Sequence, residues 1–303
     1  MIHRTIKLVT VFLTMISLHS FDAQAVYLGC DLDRFANHTW EGDPLARAKE
    51  LYTQMPTPQI RMEMRQVLHD FINHPGSASP EVLKMTWAWF GLLLAGDHAE
   101  GWNNAGEIEL TQAEGAVARA RSIHGGDFSL TLYTSGFNLR ARGHHEAAFE
   151  SFKGVTSLEP ECDRAWAQMG NELVNLGRPK EAPPFVQKAI DLNPTATGKL
   201  FYIMAKAYYF SEDYSNSILW LEKSVATRPN LWFNRTYLIS SYINSGDTTK
   251  ARAALAEFFK VFPGYTVKKI RDLQETNPDN NQIIIEGRKR MCEALLAAGM
   301  PEQ

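Results

Sequence analysis

The first residues to test for chemistry are His144 and His145, side by side in Arg142-Gly143-His144-His145-Glu146-Ala147. Neighbouring side chains in a turn point different ways and do not readily chelate one ion, so the pair reads as an exposed turn. His98, between Asp97 and Glu100, falls in Gly96–Gly106, a stretch expected to be a loop, and reads as polar surface. Ser135, Ser217 and Ser240 lack the G-x-S-x-G surroundings of a strained nucleophile turn. Gly125-Gly126 precedes Asp127 and reads as a helix end, which is not a phosphate cradle. Glu172 and Asp191 stand alone, and no Cys-x-x-Cys or Cys/His spacing suggests a structural metal. The reading is that the chain is not an enzyme: no catalytic residue, no metal site and no cofactor is expected.

What recurs is scaffold. Blocks ending in proline begin at Ser129, Asp163, Gly198 and Trp232, at steps of 34, 35 and 34 residues. The fourth position holds Leu132, Trp166 and Phe201, and the eighth the small Gly136, Gly170 and Ala205. The eleventh holds Leu139, Leu173, Tyr208 and Tyr242, the twentieth Ala148, Ala182, Ser217 and Ala251, and the twenty-fourth Phe152, Val186, Leu221 and Leu255. Pro160, Pro194, Pro229 and Pro263 close the blocks. Positions 4, 8 and 11 share one face of a helix; position 8 must be small where a second helix crosses closely. Proline cannot continue a helix and ends each unit.

A period near 34 with this large–small–aromatic–Ala–Pro pattern resembles the tetratricopeptide repeat, a helix–turn–helix unit. The resemblance implies an all-α fold, a right-handed α-solenoid of antiparallel helix pairs whose stacked units share one core. Four units are expected at 129–162, 163–197, 198–231 and 232–265. The last departs from the pattern, with Arg235 and Ile239 at positions 4 and 8. In the second, Pro183-Pro184 should delay the start of the second helix, placing Pro184 in its first turn.

In such arrays the first helices line a concave surface through positions 2, 5, 9 and 12. Here these include Tyr133, Phe137 and Arg140, then Arg164 and Asn171, then Tyr202, Lys206 and Tyr209. Aromatic rings beside Arg, Lys and Asn suit an extended protein or peptide partner, by stacking and by hydrogen bonds to its backbone or a carboxylate. Asn171 and Lys206 resemble part of the family's carboxylate clamp. The expected function is that of an exported, non-catalytic scaffold binding a protein or peptide in this groove. The alternative is a helical accessory or regulatory module acting on an enzyme or receptor, tethered to a membrane through Cys30.

The chain has 303 residues, a hydrophobic content of 45%, a charged content of 21% and a net charge of −3. With no long Lys/Arg run, nucleic acid is not an expected partner. Arg4 and Lys7 precede an apolar run, Leu8–Leu18, and the small-x-small site Ala23-Gln24-Ala25. This is the layout of a secretory signal peptide at 1–25, cleaved after Ala25, giving a periplasmic or secreted protein. The apolar run falls short of the ~20 residues that span a bilayer, so membrane attachment requires an uncleaved leader or lipidation at Cys30. Tyr27 three residues before Cys30, and the polar Asp22 and Gln24, disfavour lipidation. Cys30, Cys162 and Cys292 permit one internal disulfide, with Cys292 reading as a buried small hydrophobe.

Residues 26–42 are expected to be irregular. The region 43–128 reads as helical, with a degenerate repeat interrupted by the loop at 96–106, and 266–303 as C-terminal capping helices. The closing stretch IEGRKRMCEALLAAGMPE resembles the tails of repeat arrays attached to bacterial nucleotide cyclases and winged-helix regulators. No cyclase activity follows from that likeness, because no catalytic domain is legible ahead of the array.

Overall fold

The computed structural model describes residues 46–53, 58–99, 106–195, 198–275 and 281–303. Among the described residues all regular structure is helical: fourteen α-helices and one short 3₁₀ turn. The signal peptide, the stretch 26–42 with Cys30, and the start of the helical region at 43 lie outside them.

Helices α1 (Ala46–Thr53), α2 (Pro58–Asn73), α3 (Pro80–Ala99) and α4 (Glu107–His124) form the N-terminal part. Helix α3 runs through Ala99, into the stretch expected as loop. Leu93, Leu94 and Ala95 are buried at that end, so continuing the helix keeps apolar surface covered where a loop would leave buried backbone polar groups to satisfy. Four helix pairs follow: α5 (Ser129–Ala141) with α6 (His145–Leu158), α7 (Asp163–Asn175) with α8 (Pro183–Leu192), α9 (Lys199–Phe210) with α10 (Tyr214–Thr227), and α11 (Trp232–Asn244) with α12 (Thr248–Val261).

The small eighth positions have a measurable reason. A Cβ on Gly136 would meet the Phe152 ring at 2.6 Å, and one on Gly170 would meet Val186 Cγ2 at 2.6 Å. Pro183 and Pro184 open α8, which has 10 residues against 14 in α6, α10 and α12. The residues before it make the 3₁₀ turn Pro179–Glu181. Arg235, the odd residue of the last unit, does what Trp166 does in the second. Trp166 Nε1 donates to the Pro160 carbonyl at 2.8 Å, and Arg235 Nε to the Pro229 carbonyl at 2.7 Å. Trp166 is half-buried, so it seals a joint between units and is not a central core residue.

Two helices close the chain, α13 (Val267–Glu275) and α14 (Gln282–Ala298). The stripe Ile284, Gly287, Met291, Leu295 and Ala298 is buried. Gly299, in the left-handed conformation at φ 109°, turns the chain out of α14. The tail then returns: Val267 N–H donates to the Pro301 carbonyl at 2.9 Å and Lys268 N–H to that of Glu302 at 3.0 Å, satisfying the first turn of α13.

Helix α14 packs on α9, α11 and α12, which makes it more than an end cap. Its N-cap Asn281 lies against Gly177, the turn after α7, and its Gly287 is seated on Phe210 of α9. Gly299, just past its last turn, approaches Leu255 of α12. It therefore runs lengthwise beside the last three units.

Candidate protein-binding groove

The eight groove candidates separate into two sets. Tyr133, Phe137, Arg140 and Tyr209 are expected from their positions to face a ligand, and the structure buries all four. The rings of Tyr133, Phe137 and Phe152 meet at centroid distances of 5.2 to 5.7 Å. Arg140 lies over two of them, 4.9 Å from Phe137 and 5.3 Å from Phe152. The stacking leaves its guanidinium directed at the next unit, where Nε donates to Glu172 Oε1 and Nη2 to Gln168 Oε1 at 2.6 Å.

Glu172, a singleton in the sequence, is the pivot of this cluster. It is 0% exposed, and its second oxygen lies 2.8 Å from His145 Nδ1 and accepts from Asn175 Nδ2 at 3.3 Å. Burial pushes its carboxyl up, but the Arg140 guanidinium and His145 more than offset this and hold it below the usual carboxylate range. His145 therefore turns partly inward, a correction to the reading of both histidines as exposed turn; His144 is exposed. The sequence signal for the cluster is an acid placed about one repeat after a base on the preceding first helix.

Tyr209 is closed over by α14. Its hydroxyl lies 2.8 Å from Ser240 Oγ and donates to the Gly287 carbonyl at 3.3 Å, and its ring meets Tyr237 at 4.8 Å. Burial pushes its phenol far above the ordinary range. Other inner positions, among them Leu130, Ala167, Val174, Thr236 and Ser240, are also buried.

The second set, Arg164, Asn171, Tyr202 and Lys206, is half-buried and lies on the neighbouring helices α7 and α9. Lys206 Nζ donates to Asn171 Oδ1 at 3.0 Å and to Asn175 Oδ1 at 2.7 Å. The two residues that resemble a clamp thus meet each other. Tyr202 stacks on Phe233 at 4.6 Å and Tyr237 at 5.9 Å, and burial raises its phenol despite the nearby Arg288 of α14. Lys199, at the start of α9, places Nζ 5.8 Å from the Phe137 ring. Arg164, Lys199 and Lys206 all stand on α7 and α9, and Arg288 of α14 lies near Tyr202.

Sequence reasoning missed a second concavity. Helices α2, α3 and α4 line a cavity of about 790 Å³, with Trp87, Phe90 and Leu94 beside Arg65 and Arg119. Cys162, at the N-cap of α7, is disulfide-bonded, whereas Cys292 is a free buried thiol pushed up by burial.

The tetratricopeptide repeat family model matches residues 163–195, the unit formed by α7 and α8. No curated protein matches the chain. Among solved structures, a thermophilic TPR protein from Thermus thermophilus, TTC0263, aligns with a TM-score of 0.50 at 18% identity, over 69% of this chain and 99% of that one. PilW, described as a widely conserved type IV pilus biogenesis factor, aligns with a TM-score of 0.51 at 15% identity, over 69% and 92%. A tetratricopeptide repeat protein from Parabacteroides merdae ATCC 43184 covers 82% of this chain and 97% of its own, at 14% identity and a TM-score of 0.48.

Proposed function

We propose that this chain, a tetratricopeptide-repeat solenoid, is an exported scaffold that holds a short extended protein segment on the inner face of α7 and α9. The observation that carries the reading is the convergence of Arg164, Asn171, Tyr202 and Lys206, half-buried, on two neighbouring first helices. Cations and an amide beside a ring suit a segment with an acidic side chain or a free carboxylate. The leader-like residues 1–25 support export, and so does the bonded state of Cys162, since structural disulfides belong to oxidising compartments.

The test is a photo-crosslinking amino acid placed at Asn171 and, as a control, at Lys153 on the exposed side of α6, in cells expressing the full chain. A defined adduct from position 171 alone is expected. Lys206→Glu and Tyr202→Ala should each reduce that adduct at least tenfold, about 1.4 kcal/mol. Adducts from position 153 with none from 171 would move the binding surface off the inner face.

A further inference from the structure

We propose that the hollow of α2, α3 and α4 is a docking site for one amphipathic helix of a partner protein, apolar along its length and acidic at the end that meets Arg119. Helices α2 and α4 both pack on α3 and form the walls. Helix α3 gives the floor, where Trp87 and Phe90 are only half-buried. Large apolar side chains that the fold leaves in solvent stand on both walls. Met62 of α2 is 50% exposed and lines the hollow. Ile108 is 73% exposed and begins the α4 stripe that continues through Gln112, Gly115 and Arg119.

Gly115 indicates the kind of occupant. Glycine is the poorest helix former after proline, so a glycine inside a helix calls for a reason. Elsewhere in this chain the reason is a crossing: Gly91 lies against Ala113 and Ala116 of α4, Gly136 against the Phe152 ring, Gly170 against Val186 and Gly287 against Phe210. Gly115 alone among the described helix-interior glycines would set its Cβ against nothing within 4 Å. It faces the hollow with the small Ala116 beside it. This wall is therefore shaped for the close approach of a helix that the described residues do not supply. Along α2 the lining runs from Met62 to Asn73, about 16 Å or roughly three turns of a docked helix.

Charge sets the sign of the partner's polar end. The described lining includes Arg65, Arg119 and His69 and no acid. The acids nearest on the two walls are engaged elsewhere: Glu63 with Arg47 at 2.7 Å, Glu114 with Arg142 at 2.6 Å, and Asp70 with the Gln66 amide at 2.8 Å. Arg119 is exposed and has no ion-pair or hydrogen-bond partner among the described residues. It stands one turn beyond Gly115, so a carboxylate on the docked helix can reach it while the apolar stripe covers Met62, Trp87 and Phe90. The site uses none of the residues on the inner face of α7 and α9.

The experiment uses the full chain and a fluorescein-labelled synthetic helix of about 16 residues, with leucine at every third or fourth position and a pair of glutamates at one end. Fluorescence anisotropy should show saturable binding with Kd below ~1 mM, at least tenfold tighter than for the same peptide with lysines replacing the glutamates. Arg119→Glu should reverse that preference. Gly115→Leu fills space that the fold leaves open, so it should weaken the glutamate peptide at least tenfold while Tm holds or rises. No binding, equal affinity for the two peptides, or an affinity unchanged in Gly115→Leu overturns the proposal. So does a Tm that falls in Gly115→Leu, which would show the space already filled. A dimer of the chain that Gly115→Leu abolishes would give the hollow to a second copy and overturn the partner helix. Each of these failures leaves crosslinking from position 171 untouched.

Discussion

Arg140→Ala separates a structural role for the buried cluster from a ligand-binding one. In the folded chain Glu172 is 0% exposed, and Arg140 is the strongest charge that favours its ionised form. Removing the guanidinium leaves a buried carboxylate with only His145 and the Asn175 amide. Breaking a buried pair in this way costs about 3–5 kcal/mol. For a solenoid of this size, 1 kcal/mol moves Tm by about 2–4 °C, so the melting temperature by circular dichroism at pH 7 should fall by about 6–20 °C. The pH dependence supplies a sharper check. In the parent, the depressed Glu172 carboxyl contributes stability that is present above the ordinary carboxylate value, near ~4.3, and is lost as pH falls through the folded value. In the variant, only His145 and the Asn175 amide oppose burial, so the carboxyl moves up from its parent value and the stability it contributes at neutral pH shrinks. The gap between parent and variant should therefore be wide at pH 7 and narrow near pH 4. Replacing both partners, Arg140→Met with Glu172→Leu, should recover most of the loss, because no uncompensated charge is then buried. A variant melting within about 2 °C of the parent at pH 7 would refute the assignment and return Arg140 to the ligand-facing residues.

The close crossings give further tests. Gly170→Ala gains up to about 1 kcal/mol of helix propensity but drives Cβ to 2.6 Å from Val186 Cγ2, inside a stiff β-branched neighbour. Overpacking should win, lowering Tm by a few degrees, and a higher Tm would show that the helices separate freely there. Gly287→Ala places Cβ 2.3 Å from the Phe210 ring. It should speed hydrogen exchange in α14 while α5–α8 stay protected, and uniform exchange across all helices would argue against a separately docked α14.

The fold was legible because a repeat states each structural requirement several times. Gly136, Gly170 and Ala205 mark the same crossing, and each proline marks the same exit. Equivalent chemistry in different residues was not legible: nothing in the sequence says that Arg235 replaces the indole of Trp166 as donor to a proline carbonyl. The groove was only half legible for a related reason. Position counting presumes a bare inner face; it named Asn171 and Lys206 as ligand-facing, and the structure shows them hydrogen-bonded to each other. It could not foresee that α14 folds back along the array, although the apolar stripe from Ile284 to Ala298 showed that α14 needed cover. Nor could it show that Arg140 spends its charge on Glu172, because partners 32 residues apart meet only once two units are stacked.

On the proposed function, these closures limit the size of the segment that the groove would hold. The ring and charge cluster of Tyr133, Phe137 and Arg140 bounds the open face on one side, and α14 bounds it on the other. Between them Arg164, Asn171, Tyr202 and Lys206 sit on two adjacent helices, whose axes lie about 8–10 Å apart. With the reach of the side chains the open face is about 20 Å across, and an extended chain advances about 3.3 Å per residue. A segment held there as proposed would span about six residues, where each partner of a stable interface contributes about 20–30. A partner bound here alone dissociates readily, and a durable complex must add a second contact. The hollow of α2, α3 and α4, with Trp87 and Phe90 beside Arg119, offers apolar and cationic surface of that kind on the same chain.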